Sequence, residues 1–389
     1  YCLRHQKGRV FTGRVVQSGQ LDLDLAPGTS ADVRVPYKPA EKTSAEQILT
    51  LSFRLRRETA WASAGHEVAW EQLLISAPKD TVKNNPISLV RQLHESDEIV
   101  RLVGDRFDYE MNKETGQFTR MRYDHIDLLQ SGPEYSVWRA PTANDQDPWG
   151  SYMYSAEHRK SGLGRSIENE LRALGLDSPT REMREFQVSY EDSGVYMHLV
   201  THIMGLDSSG FILEKNIRVN REGKIDLNIS VTPQGPMPDH LPRSGLVFTL
   251  PDSLYRIEWY GRGPFETYPD RKTGAKIGVY ESTAENDIVP YLIPQDYGNH
   301  TDVRWFRVMD DKGHGLLFCS KKLLNFSLHP FSTDHLTRAN YRFQLERAPY
   351  NTLNVDFAVT GVGGTAIRTL PKYRVQPQQR TYDLQMIPF

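Results

Sequence analysis

In Ile225-Asp226-Leu227-Asn228-Ile229-Ser230-Val231 an apolar residue occupies every second position. Side chains of an extended strand leave on alternate faces, so a half-buried β-strand hides all four apolar members at once. Phe186, Val188 and Tyr190 repeat the alternation. Between such runs the chain is cut by 28 glycines and 23 prolines, which break it into short strands joined by turns. A helical period shows only around Ser166–Leu176. The fold class predicted is all-β.

Length and charge bound the rest. A chain of 389 residues suggests two or three domains, and 38% hydrophobic with 25% charged residues is ordinary for a globular protein. The formal net charge of −2 gives no electrostatic case for nucleic acid or an anionic membrane surface. No apolar run approaches the roughly 18 residues of a spanning helix, so a soluble protein is expected. Cys2 and Cys319 are too far apart in sequence to form a metal cluster or a disulfide framework, and are expected to be buried thiols. The first residue is tyrosine, with no charged-then-apolar leader before it, so the true N-terminus is expected to be missing.

Residues 1–76 carry two strand-like stretches, Leu49–Leu55 and Val68–Leu74, around a loop. The polar, proline-bounded run 77–86 reads as a linker. A long strand-rich domain then runs over 87–389.

Chemistry is densest in Glu258–Trp305. Tyr260-Gly261-Arg262-Gly263-Pro264 forces a sharp turn. Glu266, Tyr268, Asp270, Arg271 and Lys272 crowd charge beside it, able either to fix a loop or to hold sugar hydroxyls. His198 and His202 fall on a strand-like alternation that sets them about 13 Å apart, which argues against zinc. Gly361-Val362-Gly363-Gly364 lacks the spacing of a nucleotide loop, and Ser63, Ser320 and Ser332 lack a nucleophile elbow.

Several ordered blocks carry a resemblance. YGRGPFETYPDRKTGAKIGVY and VPYLIPQDYGNHTDVRW within Glu258–Trp305, Trp138-Arg139-Ala140-Pro141-Thr142-Ala143-Asn144-Asp145, Leu353-Asn354-Val355-Asp356, and Gly361–Gly364 followed by Pro371-Lys372-Tyr373-Arg374 together resemble the C-terminal domain of bacterial β-galactosidases of glycoside hydrolase family 2. Glu58–Gln72 is similar to the linking domain that precedes it. The resemblance implies a truncated immunoglobulin-like sandwich over 1–76 and a galactose-mutarotase-like β-supersandwich over 87–389, in a soluble bacterial protein of the cytoplasm or periplasm. Tyr1-Cys2-Leu3-Arg4 would fall on an internal strand of the sandwich. An edge exposed in that way invites pairing with another copy, so a homo-oligomer assembled through 1–76 is expected. A start inside a domain also favours a trimmed chain over a separately encoded half.

Retaining glycosidases need two carboxyl groups about 5–5.5 Å apart. Glu266, Asp270, Asp296 and Asp302 are the best-placed acids, with loop salt bridges as the commoner role. In the family resembled, both catalytic glutamates lie on an upstream barrel, so this chain is expected to hold no catalytic residue and to be inactive alone. Its implied partners are that barrel and a galactoside-like glycan, for which it supplies one wall of the pocket. Arg368 takes the approximate place of a sugar-stacking tryptophan, with Thr365 in the same loop. Arginine offers five donors where tryptophan offers an apolar face, which points to a larger or acidic glycan; plain surface is the alternative. Ala143 replaces an aspartate of the family pattern, and an inserted Asp147-Pro148-Trp149 makes Trp149 a candidate sugar platform. Asn144 and Asp145 remain as binding candidates, or as a turn capped by its own side chains. No cofactor or metal ligand is expected in this chain. The resemblance allows a peripheral sodium or magnesium ion in the full enzyme, with backbone oxygens near Ile293-Pro294 as a sodium position.

Two other functions compete. A stand-alone carbohydrate-binding module would use Trp149, Trp259, Trp305 and Tyr268 as a platform, although Trp259 and Trp305 sit in strand-like contexts that favour the core. An aldose mutarotase would share the fold, but no motif places its histidine acid and glutamate base.

Overall fold

The structure is a computed structural model that describes residues 2–5, 14–38, 46–76, 92–146, 166–191, 194–363 and 369–389. Two compact units emerge, Tyr1–Pro86 with Lys276–Val279, and Ile87–Ala275 with Tyr280–Phe389. The linker expected over 77–86 lies outside the described residues.

In the first unit Cys2–His5 pairs antiparallel with Arg14–Ser18 on one side and Gln47–Arg54 on the other, and Glu67–Ser76 closes a four-stranded sheet. Ile48 and Leu49 are buried, whereas Phe53, Val68, Leu73 and Leu74 are exposed.

The second unit is a β-supersandwich whose described pairings are all antiparallel. One run of strands meanders through Thr180–Glu191, Gly194–Met204, Gly210–Val219 and Ile225–Gln234, then continues through Arg380–Pro388. The other runs through Gln92–Glu95, Ile99–Val103, Phe107–Asn112 and Gln117–Tyr123. It reaches Ser131–Ser136, Arg243–Pro251 and Tyr350–Val359 in turn. Both runs end on the same 15-residue strand, Gly315–His329. Its first part, Leu316–Cys319, pairs with the C-terminal strand, and its last part, Asn325–His329, pairs with Tyr350–Val359. His300–Met309 flanks it and is flanked in turn by Arg256–Gly263.

The alternation at Ile225–Val231 does what the period requires: Ile225, Leu227, Ile229 and Val231 are buried, and Asn228 is exposed. Phe306 stacks on Phe318 at 4.7 Å and on Phe326 at 4.1 Å, bridging the two halves of the long strand with near-parallel rings. Trp259, 0% exposed, joins this interior, and Trp305, 4% exposed, is buried on the other face of its strand against Tyr260. The predicted helix is Ile167–Ala173, capped by Ser166 Oγ, which accepts from the Asn169 N–H at 3.1 Å. Its Ile167 and Leu171, four apart, face the core. Cys319 is half-buried rather than buried, its Sγ 3.5 Å from Gln385 Oε1, because it lies where the strand turns from one partner to the other; the Cys2 side chain lies outside the described set. Among the described residues no helix is long and apolar enough to cross a membrane.

Candidate functional site

Three of the sequence blocks singled out above meet in the second unit, and Arg139 with Asp270 joins them. It follows the strand Ser131–Ser136 and is 2% exposed. Its Nε donates to Asp145 Oδ2 at 2.8 Å and its Nη2 to Asp145 Oδ1 at 3.0 Å, a two-point grip on a carboxylate that is itself buried. The remaining donors reach across the chain, Nη1 to Thr360 O at 2.9 Å and Nη2 to Gly361 O at 3.3 Å. One guanidinium therefore clasps residues 139–146 to the turn at 360–363. Burial alone would push Asp145 up and Arg139 down, but each holds the other ionised, so the carboxyl lies below its ordinary value and the guanidinium above.

The short helix Ala143–Gln146 carries Asn144 and Asp145. Asp145 Oδ2 also accepts from the Thr142 N–H at 3.0 Å, and Ser166 Oγ donates to Asp145 O at 3.0 Å, fixing the helix cap to the same spot. Asn144 is half-buried. Arg368, Thr365 and Trp149 lie outside the described residues.

The Glu258–Trp305 stretch supplies the facing side. Asp270 accepts from the Val362 N–H at 3.0 Å and the Gly363 N–H at 2.7 Å, holding the glycine turn by its backbone. A Cβ on Gly361 would fall 2.3 Å from the Asp270 carboxyl carbon, so only glycine admits this approach. Asp296 N–H donates to Ala140 O at 2.9 Å, while its carboxylate accepts from Tyr268 OH at 2.9 Å. Burial first, then Asp296, raises the Tyr268 hydroxyl well above its usual value, so it remains a donor. Glu266 accepts from the Gly298 N–H at 2.8 Å and from Arg271 and Tyr291. Asp302 sits between Arg262 Nε at 2.5 Å and Lys272 Nζ at 2.8 Å. Burial would raise its carboxyl, yet those two cations hold it below the ordinary value. Each of the four acids read from the sequence is thus engaged by donors that fasten a loop.

A second buried pair lies among the strands. Arg243 Nε donates to Asp356 Oδ1 at 2.8 Å and its Nη1 to Asn354 Oδ1 at 2.6 Å, tying in the Leu353–Asp356 block. Burial pushes Asp356 up to about 6 against the pull of Arg243, with Asp296 adding to the rise. Gly245 leaves the room, since a Cβ there would meet Asp356 Oδ1 at 1.9 Å.

Sequence reasoning did not single out Arg139, Arg243 or Asp356 individually. Their signal lay in the blocks Trp138–Asp145 and Leu353–Asp356, without a periodicity to mark them. His198 and His202 lie on one strand, Gly194–Met204, and among the described residues no group of three or more His, Cys, Asp or Glu could hold a metal ion. Tyr268, Trp259 and Trp305 are buried, which removes three of the four aromatics of a surface sugar platform.

Residues 103–387 match the model of the β-galactosidase small chain, and residues 6–76 match that of β-galactosidase domain 4. A β-galactosidase of Priestia megaterium is 29% identical over 366 residues, covering 93% of this chain and 33% of the relative. One of Streptococcus thermophilus is 27% identical over 354 residues, covering 90% and 32%. A solved galactose 1-epimerase from Lactobacillus acidophilus NCFM superposes with a TM-score of 0.37 at 6% identity, covering 77% of this chain and 97% of the epimerase. The chain spans about a third of the length of the curated relatives it matches. With most of its length, including the clasp, inside the matched region, the chain belongs to the β-galactosidase small chain family.

Proposed function

We propose that this chain is the non-catalytic C-terminal part of a β-galactosidase-like glycoside hydrolase, shaping one wall of the sugar pocket for a catalytic barrel outside this sequence. The observation that carries the proposal is the Arg139 clasp. It fastens the segment before Trp149 to the turn before Thr365 and Arg368, so both stretches with sugar-binding residue types adjoin one frame. Such a frame supports specificity rather than bond cleavage, because its own carboxylates are spent on holding backbone and cations. Arg368 and Thr365 would present hydroxyl-binding groups, Trp149 an apolar face, and Asn144 with Asp145 the base of the loop. An arginine in place of a stacking tryptophan favours a larger or acidic glycan. The exposed apolar side chains of the first unit support self-association through residues 1–76.

The test is hydrolysis of a chromogenic β-galactoside by the purified chain at high concentration. No turnover is expected; turnover surviving repurification would overturn the proposal. In the full-length polypeptide, Arg368→Ala should raise KM with kcat little changed, and an unchanged KM for every galactoside tried would refute the role of that loop.

A further inference from the structure

Apart from the clasp, the second unit holds a cavity of about 500 Å³, within the range of about 300–1,000 Å³ usual for small-molecule sites. Trp138 forms an aromatic wall, its indole N–H donating to Thr337 Oγ1 at 3.4 Å and Arg172 lying 5.0 Å from its ring centroid. Two ion pairs line the same space. Arg181 meets Glu134 at 2.6 Å, and Arg172 meets both Asp177 and Glu168 at 3.0 Å; Asp334, which also lines the space, pairs with Arg338. Gln117 Nε2 donates to Glu134 at 3.1 Å and Arg181 donates to Tyr135 O at 3.3 Å, which fixes the first pair. The side chains of Glu134, Arg181, Arg172 and Asp177 keep between 23% and 42% of their surface in water, so solvent reaches them.

This charge arrangement selects a ligand class. Each carboxylate already has its guanidinium, so an ionic ligand would have to separate a pair and strand its other half in a partly desolvated wall. A neutral polyol avoids that cost. Its hydroxyls donate to carboxylate lone pairs that the guanidinium leaves open and accept from guanidinium N–H groups that the carboxylate leaves free. The part of the Trp138 indole that Arg172 leaves uncovered adds apolar surface for the C–H groups of a pyranose. We infer that this cavity is a binding site for a neutral saccharide, with Trp138 as its apolar wall and the Glu134–Arg181 and Arg172–Asp177 pairs as its hydroxyl-binding groups. None of these residues belongs to the Arg139 clasp, so the inference stands apart from the pocket-wall proposal.

The test is calorimetric titration of the 389-residue chain with lactose, and with lactobionate as the charged comparator. Saturable binding of lactose is expected, with lactobionate weaker. Trp138→Ala should weaken it at least about tenfold. Should that variant fail to fold, Thr337→Leu gives a second reading: it narrows the cavity from the helix Thr333–Arg338 and keeps the Trp138 side chain, whose indole N–H loses only its acceptor, and it should weaken binding by a similar factor. Absence of saturable binding by the parent chain, equal or tighter binding of lactobionate, or retention of binding by either correctly folded cavity variant would overturn the inference. Loss confined to Arg368→Ala would also overturn it and place the sugar at the pocket wall.

Discussion

Replacing Arg139 by methionine tests the clasp most directly. The arginine is 2% exposed and its partner Asp145 3%, so truncation strands a carboxylate whose described remaining partner is Thr142. Removing one member of a buried pair costs about 3–5 kcal/mol, most of it the uncompensated charge. Thr360 O and Gly361 O also lose a donor each, at about 1 kcal/mol apiece or less. Urea unfolding followed by tryptophan fluorescence and circular dichroism should therefore show Arg139→Met less stable by about 3–5 kcal/mol. Adding Asp145→Leu removes the stranded charge and should bring the double variant within about 2 kcal/mol of the parent. The pH dependence carries a sign. In the parent, the carboxyl of Asp145 is lowered, so its contribution is complete above the ordinary carboxylate value of 3.8 and is lost as pH falls through the lower folded value. Without Arg139, burial alone raises that carboxyl; the penalty is then full at alkaline pH and fades as acid protonates it. The gap between parent and Arg139→Met should shrink from about pH 8 to about pH 5. A cost below about 1 kcal/mol, or one independent of pH, refutes the reasoning.

Three other outcomes follow from the same geometry. Gly361→Ala should lower stability by about 1–3 kcal/mol in a thermal melt, because its Cβ collides with Asp270, and Asp270→Ala in the same chain should return part of the loss; simple additivity would count against this account. The Asp356 carboxyl carbon should titrate near pH 6 by carbon NMR, and a midpoint at or below 3.8 would show that Arg243 outweighs burial. Since the folded value lies above the unfolded one, this group favours folding below pH 3.8 and that contribution disappears as pH rises through about 6. Ser166→Ala should cost about 1 kcal/mol through loss of the cap on Ile167–Ala173, while an unchanged melt would mean that the helix is held by packing alone.

What could be read from the sequence was what repeats locally. The alternation at Ile225–Val231 and over Phe186–Tyr190 identified strands, Ser166 marked the start of a helix, and Trp259 and Trp305 in strand context belonged to the core. The pairing of distant charges has no period. Arg243 and Asp356 are 113 residues apart, and Asp270 holds an N–H 93 residues away at Gly363, so nothing local distinguishes these residues from any other arginine or aspartate. Asp145 shows the reverse difficulty. Its partner is only six residues away, yet the sequence offers a hydroxyl-binding loop and a self-capped turn equally, and the burial of Arg139 is what makes it part of an ion pair.

The long strand Gly315–His329 also shapes how this unit opens and closes. Because one backbone donates and accepts for both runs of strands, neither run can detach without stripping hydrogen bonds from a segment the other also needs. Amide protons on Ile225–Gln234 and on Arg243–Pro251, far apart along the chain, should then share one rate of exchange with solvent, set by opening of the whole unit. The strand Arg380–Pro388 must cross back about 150 residues to meet Ile225–Val231, so the two runs are sealed in one slow, cooperative step.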